Sequence, residues 1–213
     1  MKLKVTKLPT SVYVKEIEPA NFKVVVCDCG KKDFKGASNY FNLGFFAEDV
    51  SKKTITIGNV VSNGKVCSDS SMTADWINLA KKSLTTVYTT SQGGCGLMKT
   101  QSVNRITSCK NVISGIPIIK NGTMVSMGSI TNEGYFGNEV YKTWHGFLGI
   151  RNDILVYVAA ECDFEQMYPL MVSLGIRNAI KLDGGGSFIL KENNKVLHAT
   201  SGNRRINTVG VWE

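Results

Sequence analysis

Histidine is nearly missing from this chain: His145 and His198 are the only two among 213 residues. There is no Cys-x-x-Cys pair either, so the nitrogen and sulfur ligands of a structural zinc have no source. No metal and no cofactor are expected. Apolar runs are short, none approaching the ~18–20 residues that cross a bilayer. The opening stretch Met1-Lys2-Leu3-Lys4-Val5-Thr6-Lys7-Leu8-Pro9 is basic and has no apolar segment of the signal-peptide kind. No membrane contact is expected. The expected setting is the cytoplasm, or the host cytoplasm for a phage-encoded chain, with secretion only if the sequence is a processed form. Internal repeats, low-complexity tracts and linkers are also lacking, which points to one domain over residues 1–213.

The net charge is +8 and the pI about 9.2, a balance that attracts anions in general. Nucleic acid is nevertheless not the expected partner. The lysines are scattered in pairs, Lys31-Lys32, Lys52-Lys53 and Lys81-Lys82, with no basic block and no aromatic RNA-binding signature. Such pairs read as solvated surface. Six cysteines, Cys27, Cys29, Cys67, Cys95, Cys109 and Cys162, are irregularly spaced in a chain long enough to fold without staples. Reduced, half-buried thiols are the expectation.

What is present is mostly strand pattern. Residues 11–18 alternate, 22–29 are nearly all apolar, and 54–61 run into the hairpin signal Ser62-Asn63-Gly64. A helix is expected over about 74–84, capped by Thr73, with Trp76, Ile77, Leu79, Ala80 and Leu84 on one side. Residues 112–119 read as a strand interrupted by Pro117, hence an edge or a bulge. Residues 147–151 and 154–160 pair across Asn152-Asp153. Asp163 and Gln166 then form a capping box for a helix that Gly175 stops. Strands at 178–182 and 206–212 complete the chain. The class is α+β: one mixed, strand-rich domain with few helices.

The sharpest motif is Asp183-Gly184-Gly185-Gly186-Ser187. A carboxylate ends a buried strand, and three residues without Cβ let backbone N–H groups approach a ligand, as in anion-binding nests. The competing reading is a hairpin turn whose aspartate caps its own backbone. No Gly-Lys-Ser/Thr follows, so it is not a P-loop. A strand rather than a helix comes next, so it is not the dinucleotide fingerprint. Neither Cys95 nor Ser187 has a visible triad partner.

From His145 to Trp212 the chain resembles the phosphodiester glycosidase family. The resemblance rests on Leu182-Asp183-Gly184-Gly185-Gly186-Ser187, on Leu174-Gly175 at the preceding helix end, and on Arg205 before Ile206. Two earlier boxes agree: Asn42-Leu43-Gly44-Phe45-Phe46, and His145 to Ile150 followed by Asn152-Asp153. Two places depart from the pattern. His145 stands where the family has arginine, and Glu161-Cys162-Asp163-Phe164-Glu165 replaces a Ser-x-Gly-rich helix entry.

The resemblance implies hydrolysis of a glycosyl–phosphate bond in a sugar-1-phosphodiester, a nucleotide-sugar-like molecule or a glycopolymer. Asp183 would be the essential carboxylate, as nucleophile or base. The amides of Gly184, Gly185 and Gly186 would bind phosphate or sugar oxygens, with Ser187 as a further donor. Arg205 would hold the phosphate. Asn42 would bond a sugar hydroxyl or orient Asp183, and His145 would serve as cation or proton carrier. Phe45 and Phe46 read as core. Glu48, Asp49, Glu133 and Glu161 are candidates for a second carboxylate, none of them assignable. Two readings from other classes remain: a binding module that sequesters a phosphorylated ligand, and a structural virion component.

Overall fold

The computed structural model describes residues 7–74, 77–135 and 142–213. Eighteen strands lie among them. The first half of the chain gives β1 (Val12–Ile17), β2 (Phe22–Gly30), β3 (Tyr40–Asn42), β4 (Phe46–Glu48), β5 (Thr54–Thr56), β6 (Val60–Ser62), β7 (Lys65–Ser68), β8 (Leu84–Thr90) and β9 (Cys95–Thr100). The second half gives β10 (Cys109–Ser114), β11 (Ile116–Lys120), β12 (Thr123–Met124), β13 (Thr143–Arg151), β14 (Ile154–Cys162), β15 (Asn178–Lys181), β16 (Ile189–Glu192), β17 (Lys195–Ala199) and β18 (Arg205–Trp212). Two α-helices, α1 (Met127–Asn132) and α2 (Phe164–Ser173), are described as well. The architecture is strand-rich and mostly β. No helix among the described residues is long and apolar enough to cross a membrane.

Three larger sheets are formed, ordered β1-β14-β13-β15-β11-β12, β7-β6-β10-β8-β9 and β17-β16-β3-β18-β2, with a small β4-β5 pair beside them. The β13–β14 hairpin is the spine of the first sheet. It pairs in unbroken register from Thr143↔Cys162 to Arg151↔Ile154. Asn152 and Asp153 close it at φ 51° and 60°, the doubly left-handed turn whose twist matches the strands. The strand β14 is apolar at nearly every position because both faces are covered. Val156, Val158 and Ala160 pack with Met167, Leu170 and Met171 of α2. On the opposite face Leu155, Tyr157 and Ala159 meet side chains of the other two sheets, including Phe41, Val87 and Leu190. The Phe41 and Tyr157 rings stack there, 3.6 Å apart and 11° from parallel.

The helix start at Asp163 is as expected. Asp163 and Gln166 exchange the two capping-box bonds, and Gly175 leaves the helix at φ 69°. The helix expected over 74–84 is absent from the described residues; Asp75 and Trp76 lie outside them. A 3-10 turn at Ser70–Met72 precedes this stretch, isolated turns hold Ile77 and Ala80, and Leu84 already belongs to β8. Asp69, not Thr73, is the cap. Its carboxylate bonds Ser71 N, Ser71 Oγ, Ser102 Oγ and Val103 N at 2.6–2.9 Å. The bonds to Ser102 and Val103 tie the segment preceding 74–84 to a distant part of the chain, and tertiary context of this kind outweighs a helical apolar spacing.

Two runs that read as single strands are divided between sheets. Residues 54–61 break at Gly58, whose φ is 79° and whose Cβ would lie 2.3 Å from Ser114 Oγ. Residues 112–119 break at Gly115, where a Cβ would strike Lys181 O at 2.5 Å. Pro117 then marks a bulge, a register shift between β11 and β15, as its missing N–H requires. The six cysteines are free. Burial, then the charge of Asp163, pushes the fully buried Cys162 thiol up to about 12.

Candidate active site

The strand β15 lies between β13 and β11, and the chain leaves the sheet at its end. Leu182 N still bonds Gly146 O at 2.9 Å, and Asp183 N bonds Leu43 O at 2.9 Å. Asn42, buried at the end of β3, donates from Nδ2 to Asp183 O at 2.6 Å and accepts at Oδ1 from Ile189 N at 3.1 Å. One amide side chain therefore clamps both ends of the glycine loop. Asp183 is left half-buried at the rim, followed by a loop that opens progressively to solvent at Gly186.

The loop itself is a 3-10 turn, Gly185–Ser187, with its carbonyls tied inward. Gly184 O accepts from Ser187 N at 3.2 Å, and Gly185 O from Phe188 N at 3.0 Å. Thr200 Oγ1 lies 2.7 Å from Gly185 O and 3.1 Å from Gly186 O. Lys31 Nζ donates to Gly186 O at 2.6 Å. In a trans peptide the N–H points opposite to the C=O. The amides of Gly185 and Gly186 therefore point away from the donors that hold the Gly184 and Gly185 carbonyls, an orientation that suits an anion nest.

Each flank of the loop is occupied. A Cβ on Gly184 would lie 3.1 Å from His145 Nδ1 and 3.2 Å from Trp144 O; one on Gly186 would lie 3.1 Å from Arg204 Cδ and 3.4 Å from its Nη1. His145 is buried on β13, its ring tilted against Phe147. The neighbouring Trp144 stacks on His198 at 4.2 Å and on Phe188 at 5.5 Å.

The structure thus brings together Asn42, Asp183, Gly184, Gly185, Gly186 and His145. It separates two expected members. Ser187 is fully buried, its Oγ without a hydrogen-bond partner among the described residues, so it faces the core and not the open side of the loop. Arg205 is committed to Asp28, through Nε at 3.0 Å and through Nη2, which also bonds Asp28 O. Arg205, with Thr54, holds the Asp28 carboxyl below its ordinary range. It is Arg204, just before β18, that lies against the loop.

Two buried lysines escaped the sequence reading. The pair Lys31-Lys32 reads as solvated surface in the sequence, yet Lys31 is fully buried. Burial, then Lys32 and Arg204, lowers its pKa. Lys181, also fully buried, donates to Leu182 O at 3.1 Å and lies 5.5 Å from the centre of the Phe45 ring. The one signal for it was a lysine inside the apolar run Ala179-Ile180-Lys181-Leu182. Phe45 itself packs on Tyr135 and the core beneath α2. Of the four spare carboxylates, Glu133 is held by Thr85 N, Thr85 Oγ1 and Lys99 Nζ. Asp49 caps its own turn through Ser51 and Lys53, while Glu48 and Glu161 are exposed.

The fold is shared with solved structures. The catalytic domain of zebrafish N-acetylglucosamine-1-phosphodiester alpha-N-acetylglucosaminidase, auto-inhibited by its pro-peptide, superposes with a TM-score of 0.68 at 13% identity, over 99% of this chain and 85% of that one. A hypothetical protein from Synechocystis gives 0.65 at 15% identity, over 94% of this chain and 58% of the other. A putative exported protein from Burkholderia pseudomallei gives 0.65 at 12% identity, over 94% and 73%. A search of curated protein sequences finds no match. The sequence model described as phosphodiester glycosidase matches residues 35–211, a span that contains Asn42, His145 and the whole glycine loop, and the chain therefore belongs to the phosphodiester glycosidase family.

Proposed function

We propose that this protein hydrolyses the bond between the anomeric carbon of a sugar and a phosphodiester oxygen. The observation that carries the reading is the pairing of a half-buried carboxylate, Asp183, with a loop whose carbonyls are anchored, so that the Gly185 and Gly186 amides point away from those anchors. Family membership and the likeness to the zebrafish glycosidase domain support the same chemistry.

The two halves of the loop suit the two halves of such a substrate. The sugar lies at the Asp183 end, where the carboxylate stabilises oxocarbenium-like charge and acts as nucleophile or as base toward water. The phosphate lies at the Gly186 end, held by the outward amides and by Arg204, whose planar fork matches two phosphate oxygens. We assign that cation to Arg204, since Arg205 is paired with Asp28. Stabilising the departing phosphate by donors and charge lowers the need for a strong general acid. His145, with Nδ1 against Gly184, serves as the proton carrier at the aspartate end. Asn42 positions Asp183 through its backbone.

The test is a turnover screen against sugar-1-phosphodiesters and nucleotide sugars, read by mass spectrometry, with Asp183→Asn in parallel. The expected result is glycosyl–phosphate cleavage by the parent and a loss of roughly 10²–10⁴-fold in the variant. Retention of configuration in the product would assign Asp183 as nucleophile, inversion as base. Equal turnover by both proteins overturns the role of Asp183. No turnover, with a panel compound raising the melting temperature, favours a binding module instead.

A further inference from the structure

Lys31 is a charged side chain with no exposure, reached by no step of the reaction above. Its ammonium touches neutral oxygens: Gly186 O at 2.6 Å, Thr200 Oγ1 at 2.7 Å, Thr200 O at 2.9 Å and Ser201 O at 3.4 Å. The charges felt most strongly around it, Lys32 and Arg204, have its own sign. A buried cation set among dipoles and like charges is costly unless an anion can approach it.

The hydrogen bonds leading away from Lys31 end at the open face of the glycine loop. In one path Lys31 Nζ bonds Gly186 O; that peptide's N–H, on Ser187, donates to Gly184 O at 3.2 Å; and the next peptide ends in the outward N–H of Gly185. In the other, Lys31 Nζ bonds Thr200 Oγ1, the hydroxyl donates to Gly185 O at 2.7 Å, and that peptide ends in the outward N–H of Gly186. Each peptide in a hydrogen-bonded chain polarises the next. A cation at the carbonyl end makes the terminal N–H a stronger donor.

We infer that Lys31 is a positioning residue which, through these two relays, fixes and polarises the Gly185 and Gly186 amides for an anionic group. The inference rests on the reading that an anion occupies the glycine loop. It adds the source of that loop's donor strength, and it assigns Thr200 as the branch that serves Gly186. The lowered pKa of Lys31 agrees with a buried cation whose charged neighbours among the described residues, Lys32 and Arg204, share its sign.

The test measures binding of inorganic phosphate by calorimetry, and the amide proton shifts of Gly185 and Gly186 by NMR, in the parent and in Lys31→Met, Lys31→Arg, Thr200→Val and Thr200→Ser. Lys31→Met is expected to bind phosphate about tenfold more weakly, the worth of a charge-assisted bond, with Lys31→Arg restoring much of the loss. Thr200→Val, which keeps the cation, is expected to move the Gly186 amide upfield more than that of Gly185, and Thr200→Ser to leave both in place. If Lys31→Met does not fold, the threonine pair decides. Phosphate binding and amide shifts unchanged in Thr200→Val and in folded Lys31→Met would overturn the inference, as would a parent that binds no phosphate. A parent that binds phosphate in this lysine-dependent way but cleaves no sugar phosphodiester would leave the inference standing and remove the hydrolytic reading instead.

Discussion

An alanine at position 185 would have to hold a φ of +55° with nothing within 4 Å of its Cβ. Its penalty is purely conformational, about 1–2 kcal/mol. At position 186 the new methyl would meet the flexible end of Arg204, which can swing aside, and φ is unexceptional. Denaturant unfolding should therefore show Gly185→Ala less stable than the parent by about 1–2 kcal/mol and Gly186→Ala close to the parent; the reverse order would contradict the loop geometry. Much of this site was legible in the sequence, because a carboxylate followed by three glycines is hard to explain as a turn alone. Lys31 and Arg204 were not legible. A lysine pair after a strand looks like any solvated pair, and two adjacent arginines at a strand start give no clue which one faces the loop. Ser187 read as a donor since spacing along a loop does not reveal which way a side chain turns.

At the scale of elements, strand pairs with a turn between them are legible where the turn chemistry is explicit, as at Asn152-Asp153 and Asn63-Gly64, both at positive φ. The helix expected over 74–84 is not formed among the described residues, and the stretch before it is held by non-local bonds that no local pattern reveals: Asp69 reaches to Ser102 and Val103, more than thirty residues away. That carboxylate also supplies a pH dependence. Burial opposes its charge, but the bonds from Ser71, Val103 and Ser102 outweigh this and lower its pKa. A group whose pKa is lower in the folded state stabilises above the unfolded value of about 3.9 and loses that contribution as pH falls through the folded value. Stability followed by urea unfolding should decline below pH about 4, and Asp69→Asn should be less stable at neutral pH and show a shallower decline. An identical acid slope in both proteins would exclude Asp69 as a contributor.

For the whole molecule, the contact between sheets matters more than any single element. Phe41 of β3 stacks on Tyr157 of β14 and also meets Phe22 and Trp212, so one ring sits where two sheets close on each other. Phe41→Ala should cost about 3–5 kcal/mol. Tryptophan fluorescence and far-ultraviolet circular dichroism should report one shared transition in parent and variant; separate transitions would mean that the sheets unfold independently. How strands are shared among sheets could not be read from pattern. At Gly58 and Gly115 the strand pattern continues while the chain changes sheet, and the neighbours that leave no room for a Cβ there, Ser114 Oγ and Lys181 O, come together only in the folded molecule.

The inward anchoring of the glycine loop has a thermodynamic side. Lys31, Thr200 and Asn42 restrain its backbone before any ligand arrives, so the entropy of ordering it is met during folding and not during binding. Affinity and conformational stability then share the same anchors. A sequence change that loosens one of them weakens both at once, and drift toward a looser, more adaptable loop is restrained by the folding of the chain itself.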